Sequence, residues 1–181
     1  MSIPLLRTKL HIPRLKAGTV TRPRLTHKLT ERSQGTAKLA LIVAPAGFGK
    51  TTLLSAWHAE NPDHPVAWLS LDDDDNDPSR FWSYTAATLE TLAADIPKGS
   101  LSRLPVGQLP EETILTHLIN ELTAVPRAFT YVLDDFHTIT NPEILEWLAF
   151  VIEHHPPICI LCSARELCQS SRWRDRARKA A

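Results

Sequence analysis

Apolar residues along this chain fall into two arrangements: short solid runs, and longer stretches in which they recur every three or four positions. The solid runs are Leu39–Ala44, Val66–Leu71, Phe129–Leu133 and Ile158–Leu161. They are rich in Val, Ile, Leu and aromatics, which marks them as strands. Continuous apolarity, rather than alternation, is what a parallel strand covered on both faces requires. Between the runs, Trp82, Ala86, Leu89 and Ala93 predict a helix, as do Leu115, Leu118, Leu122 and Val125, and again Leu145, Leu148 and Ile152. Asp77-Pro78 and Asn141-Pro142 each put a capping side chain before a proline at the first helical position. Pro97, Gly99, Pro105, Gly107 and Pro110 mark a loop, and Pro156-Pro157 stops a helix before the last run. Strand, helix, strand, helix in this order predicts βαβ units: an α/β fold on a parallel sheet with right-handed crossovers.

Composition narrows the class. In 181 residues, 43% hydrophobic and 22% charged, there is enough apolar material for a proper core and too much for a disordered chain. No apolar run approaches the ~20 residues of a membrane span, and Met1–Pro13 holds no signal-like apolar block. Three cysteines fit a reducing compartment, so a cytoplasmic protein is expected. The net charge of zero hides an asymmetry. Residues 1–38 carry nine Lys/Arg against one acid and residues 165–181 six against two, whereas 39–164 carry five against seventeen. Basic ends of this kind attract nucleic acid, neutralise an acidic body or contact a bound nucleotide. Neither end shows a groove-reading motif.

The strongest chemical signal is Ala44-Pro45-Ala46-Gly47-Phe48-Gly49-Lys50-Thr51, between a strand and a helical stretch, Thr51–Glu60. Gly47 and Gly49 let successive N–H groups turn inward toward phosphate oxygens, and the helix N-terminus adds its positive end. Lys50 supplies a charge for the β- and γ-phosphates, and the Thr51 hydroxyl suits magnesium. Ala44 stands where the usual pattern has its first glycine, which is tolerable only if its φ is negative. Tyr131-Val132-Leu133-Asp134-Asp135 is an apolar strand ending in two carboxylates. Asp134 is a candidate magnesium ligand through a water, and Asp135 a candidate for activating the attacking water. Arg165, just past the fourth strand, is placed to neutralise a γ-phosphate.

Other residue groups read as structural. Cys159 and Cys162, three apart on a strand, point to opposite faces and read as core thiols. His137, His154 and His155 lack a ligand-spaced set and are expected at surfaces or helix ends. Asp72–Asp75 with Asp77 has no register of a calcium loop and reads as a solvated loop.

Several segments together resemble the signal-transducing (STAND) P-loop ATPases of the MalT-like, LuxR-type transcriptional activators. They are Leu5–Pro13, Val20–Leu25, Ala44–Leu54 with its alanine for glycine, Val66–Phe81, Val132–His137 and Ser163–Arg165, covering about residues 3–166. The resemblance implies a P-loop NTPase three-layer sandwich that works as an ATP/ADP switch with Mg2+, hydrolysing slowly and self-associating in the ATP form. It implies that Val20 and Arg22 lie near adenine and phosphates, that the loop from Ala44 to Gly49 with Lys50, Thr51 and Thr52 binds phosphate and magnesium, and that Arg165 is the sensor arginine. Residues 1–36 then form a lead contacting nucleotide, 37–166 the NTPase core, and 167–181 a basic tail. Family members continue into a winged helix, a helical-repeat sensor and a DNA-binding helix-turn-helix. The expectation here is the nucleotide domain alone, cut short after the sensor strand, without DNA binding of its own. A truncated gene product and an excised fragment both fit. The alternatives are a small P-loop kinase, for which only Arg80, Arg103 and Arg127 could furnish a lid, and an AAA-type ATPase.

Overall fold

The computed structural model describes residues 5–35, 38–92, 113, 116, 119–120, 128–154 and 158–165. Of the predicted helix through Leu115–Val125 the described residues include Thr116, Ile119 and Asn120, all helical, while the four apolar positions that predicted it, the loop at 97–110, His155, Pro156-Pro157, Arg103, Arg127 and the basic tail lie outside them. The four predicted strands form one parallel sheet: β1 (Leu39–Val43), β2 (Val66–Ser70), β3 (Phe129–Asp134) and β4 (Ile158–Ala164), in the order β1-β4-β3-β2. β4 continues past the apolar run through Cys162 and Ser163 to Ala164, which agrees with a strand ending at Ser163-Ala164-Arg165 and leaves Arg165 just past it.

Helices cover both faces, and alternation along each strand sorts the core in two. One side packs Ala67, Leu69, Tyr131, Leu133 and Cys162 against α3 (Pro78–Leu89) and α4 (Pro142–His154). The other packs Trp68, Val132, Cys159 and Leu161 against α1 (Pro23–Gln34) and α2 (Lys50–Glu60). This is the expected three-layer sandwich, and the two cysteines do lie on opposite faces. Burial pushes the Cys159 thiol up to about 12, so it stays protonated. β1 stands at one end of the described sheet, so it is only partly buried and Val43 is 43% exposed.

Both predicted caps form. Asp77 accepts from the Arg80 N–H at 2.8 Å, and Asn141 Oδ1 from the Glu143 N–H at 3.0 Å. The aspartate run differs from expectation. Asp73–Asn76 is a 3-10 turn, and Asp75 is fully buried rather than solvated. Lys9, from the lead, and Arg80 both pair with Asp75, which supplies the charge that its burial requires.

Candidate functional site

β1 ends at the loop Ala44–Gly49, and α2 begins at Lys50. Gly47 (φ 80°) and Gly49 (φ 77°) are left-handed, as the turn from strand to helix demands. Added Cβ atoms at either glycine would meet nothing closer than 3.8 Å, so it is backbone conformation that selects glycine there. Ala44 needs no glycine: Asp135 is the one described non-glycine residue with positive φ, and the Ala44 N–H extends the sheet by donating to the Ala164 carbonyl at 3.2 Å. Among the described residues, nothing accepts a hydrogen bond from the N–H groups of Gly47, Gly49, Lys50 or Thr51. These donors crowd the positive end of α2, the arrangement that cradles an anion. Lys50 is buried and folds over the loop, donating to the carbonyls of Ala44 (2.8 Å) and Pro45 (3.1 Å).

The parallel sheet brings the end of β3 beside this loop. Thr51 Oγ1 donates to Asp134 Oδ2 at 2.8 Å, joining the two expected magnesium residues. Asp134 is buried, and its other oxygen takes a hydrogen bond from Ser163 on β4. Asp135 turns out of the strand in a left-handed conformation (φ 58°), leaving its carboxylate half exposed. Its Oδ1 lies 3.7 Å from His137 Nδ1, a buried ring nitrogen with no hydrogen-bond partner among the described residues. His137 lies in the short 3-10 turn Phe136–Thr138, a helix end as expected, and there it is a neighbour of the candidate water-activating acid. Arg165 sits exposed in the bend just after β4.

Val20 and Arg22 come from the lead to the same place. With Thr19 they face Gly49, Thr52 and Leu53 across a cavity of about 190 Å³. Arg22 Nη1 donates to the Phe48 carbonyl at 3.3 Å, tying lead to loop. Arg80 is held by Asp74 and Asp75 and stacks on Tyr84, which removes it as a lid arginine. The sequence reading missed the part played by Ser163, which had stood only within the Ser163–Arg165 strand end.

No known protein-family profile matches the chain. Among curated proteins it is 39% identical over 153 residues to the HTH-type transcriptional regulator MalT of Cronobacter sakazakii, and 35% identical over 153 residues to that of Klebsiella pneumoniae. Each alignment covers 84% of this chain and 16% of the regulator. Among solved structures, the Aeropyrum pernix ORC1 protein in complex with DNA superposes with a TM-score of 0.59 at 15% identity, over 93% of this chain and 44% of that one. Drosophila ORC bound to DNA gives 0.51 at 15% identity, over 84% and 82%. At such identities the likeness shows the fold alone, an α/β architecture on a parallel sheet. By sequence the chain is a relative of the MalT-type HTH regulators, matching them over 84% of its own length and spanning 16% of theirs.

Proposed function

We propose that this chain is the ATP-binding, slowly hydrolysing switch module of a MalT-like, LuxR-type transcriptional regulator of the cytoplasm. The observation that carries the reading is the 2.8 Å hydrogen bond from Thr51 to Asp134, which joins the end of the phosphate loop to an acidic strand end 83 residues away. Two hard oxygen donors at the mouth of a cradle of free N–H groups fit a nucleotide with magnesium. Magnesium, when bound, offsets the charge between β- and γ-phosphates.

In this reading the loop of Ala44, Pro45, Ala46, Gly47, Phe48 and Gly49 wraps the phosphates, and the uncommitted backbone N–H groups of Gly47 and Gly49, with those of Lys50 and Thr51, donate to them. Lys50 adds a point charge, and Thr51 and Asp134 hold the metal. Thr52 serves the phosphates with Lys50 and Thr51, and Val20 and Arg22, which line the adjoining cavity with it, lie near adenine and phosphates. Asp135, half exposed and turned away from its strand, takes a proton from the attacking water. Arg165 responds to the γ-phosphate. Exchange of ATP for ADP then governs self-association within the longer regulator, and this chain contributes nucleotide recognition without DNA contact.

Calorimetric titration of the folded chain with ATP and ADP, with and without magnesium, tests the proposal. Saturable binding strengthened by magnesium is expected. A folded chain that binds neither nucleotide overturns it.

A further inference from the structure

The lead segment changes sides of the sheet. Leu5 and Leu10 pack on the core under α3 and α4, whereas Ile12 packs on the opposite core, under α1 and α2. The crossing is made at β2, the outer strand of the described sheet opposite β1, against which Arg7–Leu10 lies. Arg14–Gly18 are then exposed, and Thr19, Val20 and Arg22 form one wall of the cavity beside Gly49 and Thr52. That wall is thus a strap, fixed where α1 begins and where the lead crosses the sheet.

The crossing is clamped by Lys9. Its Nζ lies 2.6 Å from Asp72 Oδ2, 2.6 Å from Asp75 Oδ2 and 4.8 Å above the Tyr84 ring. The Tyr84 hydroxyl accepts the Leu6 N–H at 3.1 Å. Asp75 has no exposure to water and uses its other oxygen for Arg80 Nε at 3.2 Å. A buried, directional pair of this kind fixes register: a strap slipped by one residue would leave Asp75 facing no cation but Arg80.

We propose that Lys9 is a positioning residue for nucleotide binding, clamping the strap so that Thr19–Arg22 close the base side of the cavity. The inference rests on the reading of this cavity as the nucleotide site. It separates two parts of one ligand. The phosphate loop is carried by β1 and α2 and touches the strap through the exposed Arg22 hydrogen bond to the Phe48 carbonyl, whereas the base-side wall is built from the strap itself.

The test compares MgATP with magnesium tripolyphosphate, which carries phosphates and no base. Lys9→Met is expected to weaken MgATP about tenfold, the cost of re-ordering a loosened wall, and to change tripolyphosphate less than about twofold. Hydrogen exchange should quicken at residues 14–22 and hold at 44–51. Unchanged ATP affinity, or equal loss of both ligands, overturns the clamp. If the wild type binds tripolyphosphate and ATP alike, the base-side role fails while the phosphate site stands. If it binds neither, the nucleotide reading falls and this inference with it. Should Lys9→Met not fold, Asp72→Asn keeps the buried Asp75 pair and reads the same split at about threefold. No loss of ATP binding there overturns the proposal equally.

Discussion

The hydroxyl of Ser163 donates to Asp134 Oδ1 and accepts, at 3.0 Å, the backbone N–H of Asp135. One side chain on β4 thereby fixes both acids at the end of β3. With Oδ1 held, Oδ2 is left aimed at Thr51. Ser163→Ala strips a buried carboxylate of its hydroxyl donor, and unfolding stability should fall by about 1–3 kcal/mol. Magnesium should also be needed at higher concentration for ATP binding, while Ser163→Thr retains both properties. Urea unfolding and magnesium titrations check this. A magnesium requirement unmoved in Ser163→Ala would detach the serine from the metal site.

Lys50 is the charge at the centre of the phosphate loop, and its hydrogen bonds to Ala44 and Pro45 are made with loop carbonyls alone. Lys50→Ala therefore removes ligand binding more than stability. The loss of a charged hydrogen bond, about 1.5–3 kcal/mol, corresponds to roughly 10- to 150-fold in affinity. Calorimetry with ATP measures it directly, and equal affinities in the two proteins would leave Lys50 with no phosphate to bind.

What could be read from the sequence was what local patterns encode. The four strands, the capped starts of α3 and α4 and the glycine-rich loop each depend on neighbours within a few residues. α1 escaped notice because its apolar content comes down to Leu25 and Leu29 in a polar stretch; Pro23 at its first turn was the available signal. The burial of Asp75 was not legible, since its partner Lys9 lies 66 residues away in the lead. Four consecutive aspartates look solvated until a distant cation is known to meet one of them. Ser163 depended on strand register. Leu133 pairs with Cys162, which puts Asp134 level with Ser163, and no local pattern fixes the pairing of parallel strands.

The aspartate run separates residues that look alike in sequence. Asp75→Ala leaves Arg80 without its closest carboxylate and Lys9 with the partly exposed Asp72 alone. The expected cost is about 3 kcal/mol or more, as for one half of a buried pair. Asp73 is exposed, and Asp73→Ala should stay within about 0.5 kcal/mol of wild type. Denaturant unfolding of the two variants decides; similar stabilities would show that the Asp75 cluster does not hold the lead.

Asp135 has the geometry of a residue that acts on water rather than one that holds the ligand. Its carboxylate is half exposed, its backbone is left-handed, and Asp134 instead takes the Thr51 hydroxyl. Asp135→Asn should keep ATP affinity within a few-fold while slowing single-turnover hydrolysis at least about 100-fold, the scale of a lost general base. Rapid-quench measurement of one turnover is the readout, and a variant as fast as wild type would make Asp135 structural.

A last prediction concerns pH. His58 and His64 lie at the end of α2 and in the turn that follows, with the His64 ring edge-on to Trp57 at 5.7 Å and its Nε2 2.8 Å from Thr130 Oγ1. His58 Nδ1 is buried and has no partner among the described residues. Burial lowers both imidazoles below their ordinary range, and the nearness of His58 lowers His64 further. Both are thus neutral in the folded protein where the unfolded chain, titrating near 6.5, already takes up protons. Stability from this source is present above about pH 6.5 and lost as pH falls through the lowered folded values. Asp72, held below its usual value by Lys9 despite the opposing effect of burial, gives way only in the more acidic range below about 3.9. Thermal melts should accordingly show a fall in unfolding temperature between pH 7 and 5, before any carboxylate loss. His58→Gln with His64→Gln should flatten that step and leave the acid limb in place. A wild-type profile flat from pH 7 to 5, or an unchanged slope in the double variant, would mean that these two rings do not set it.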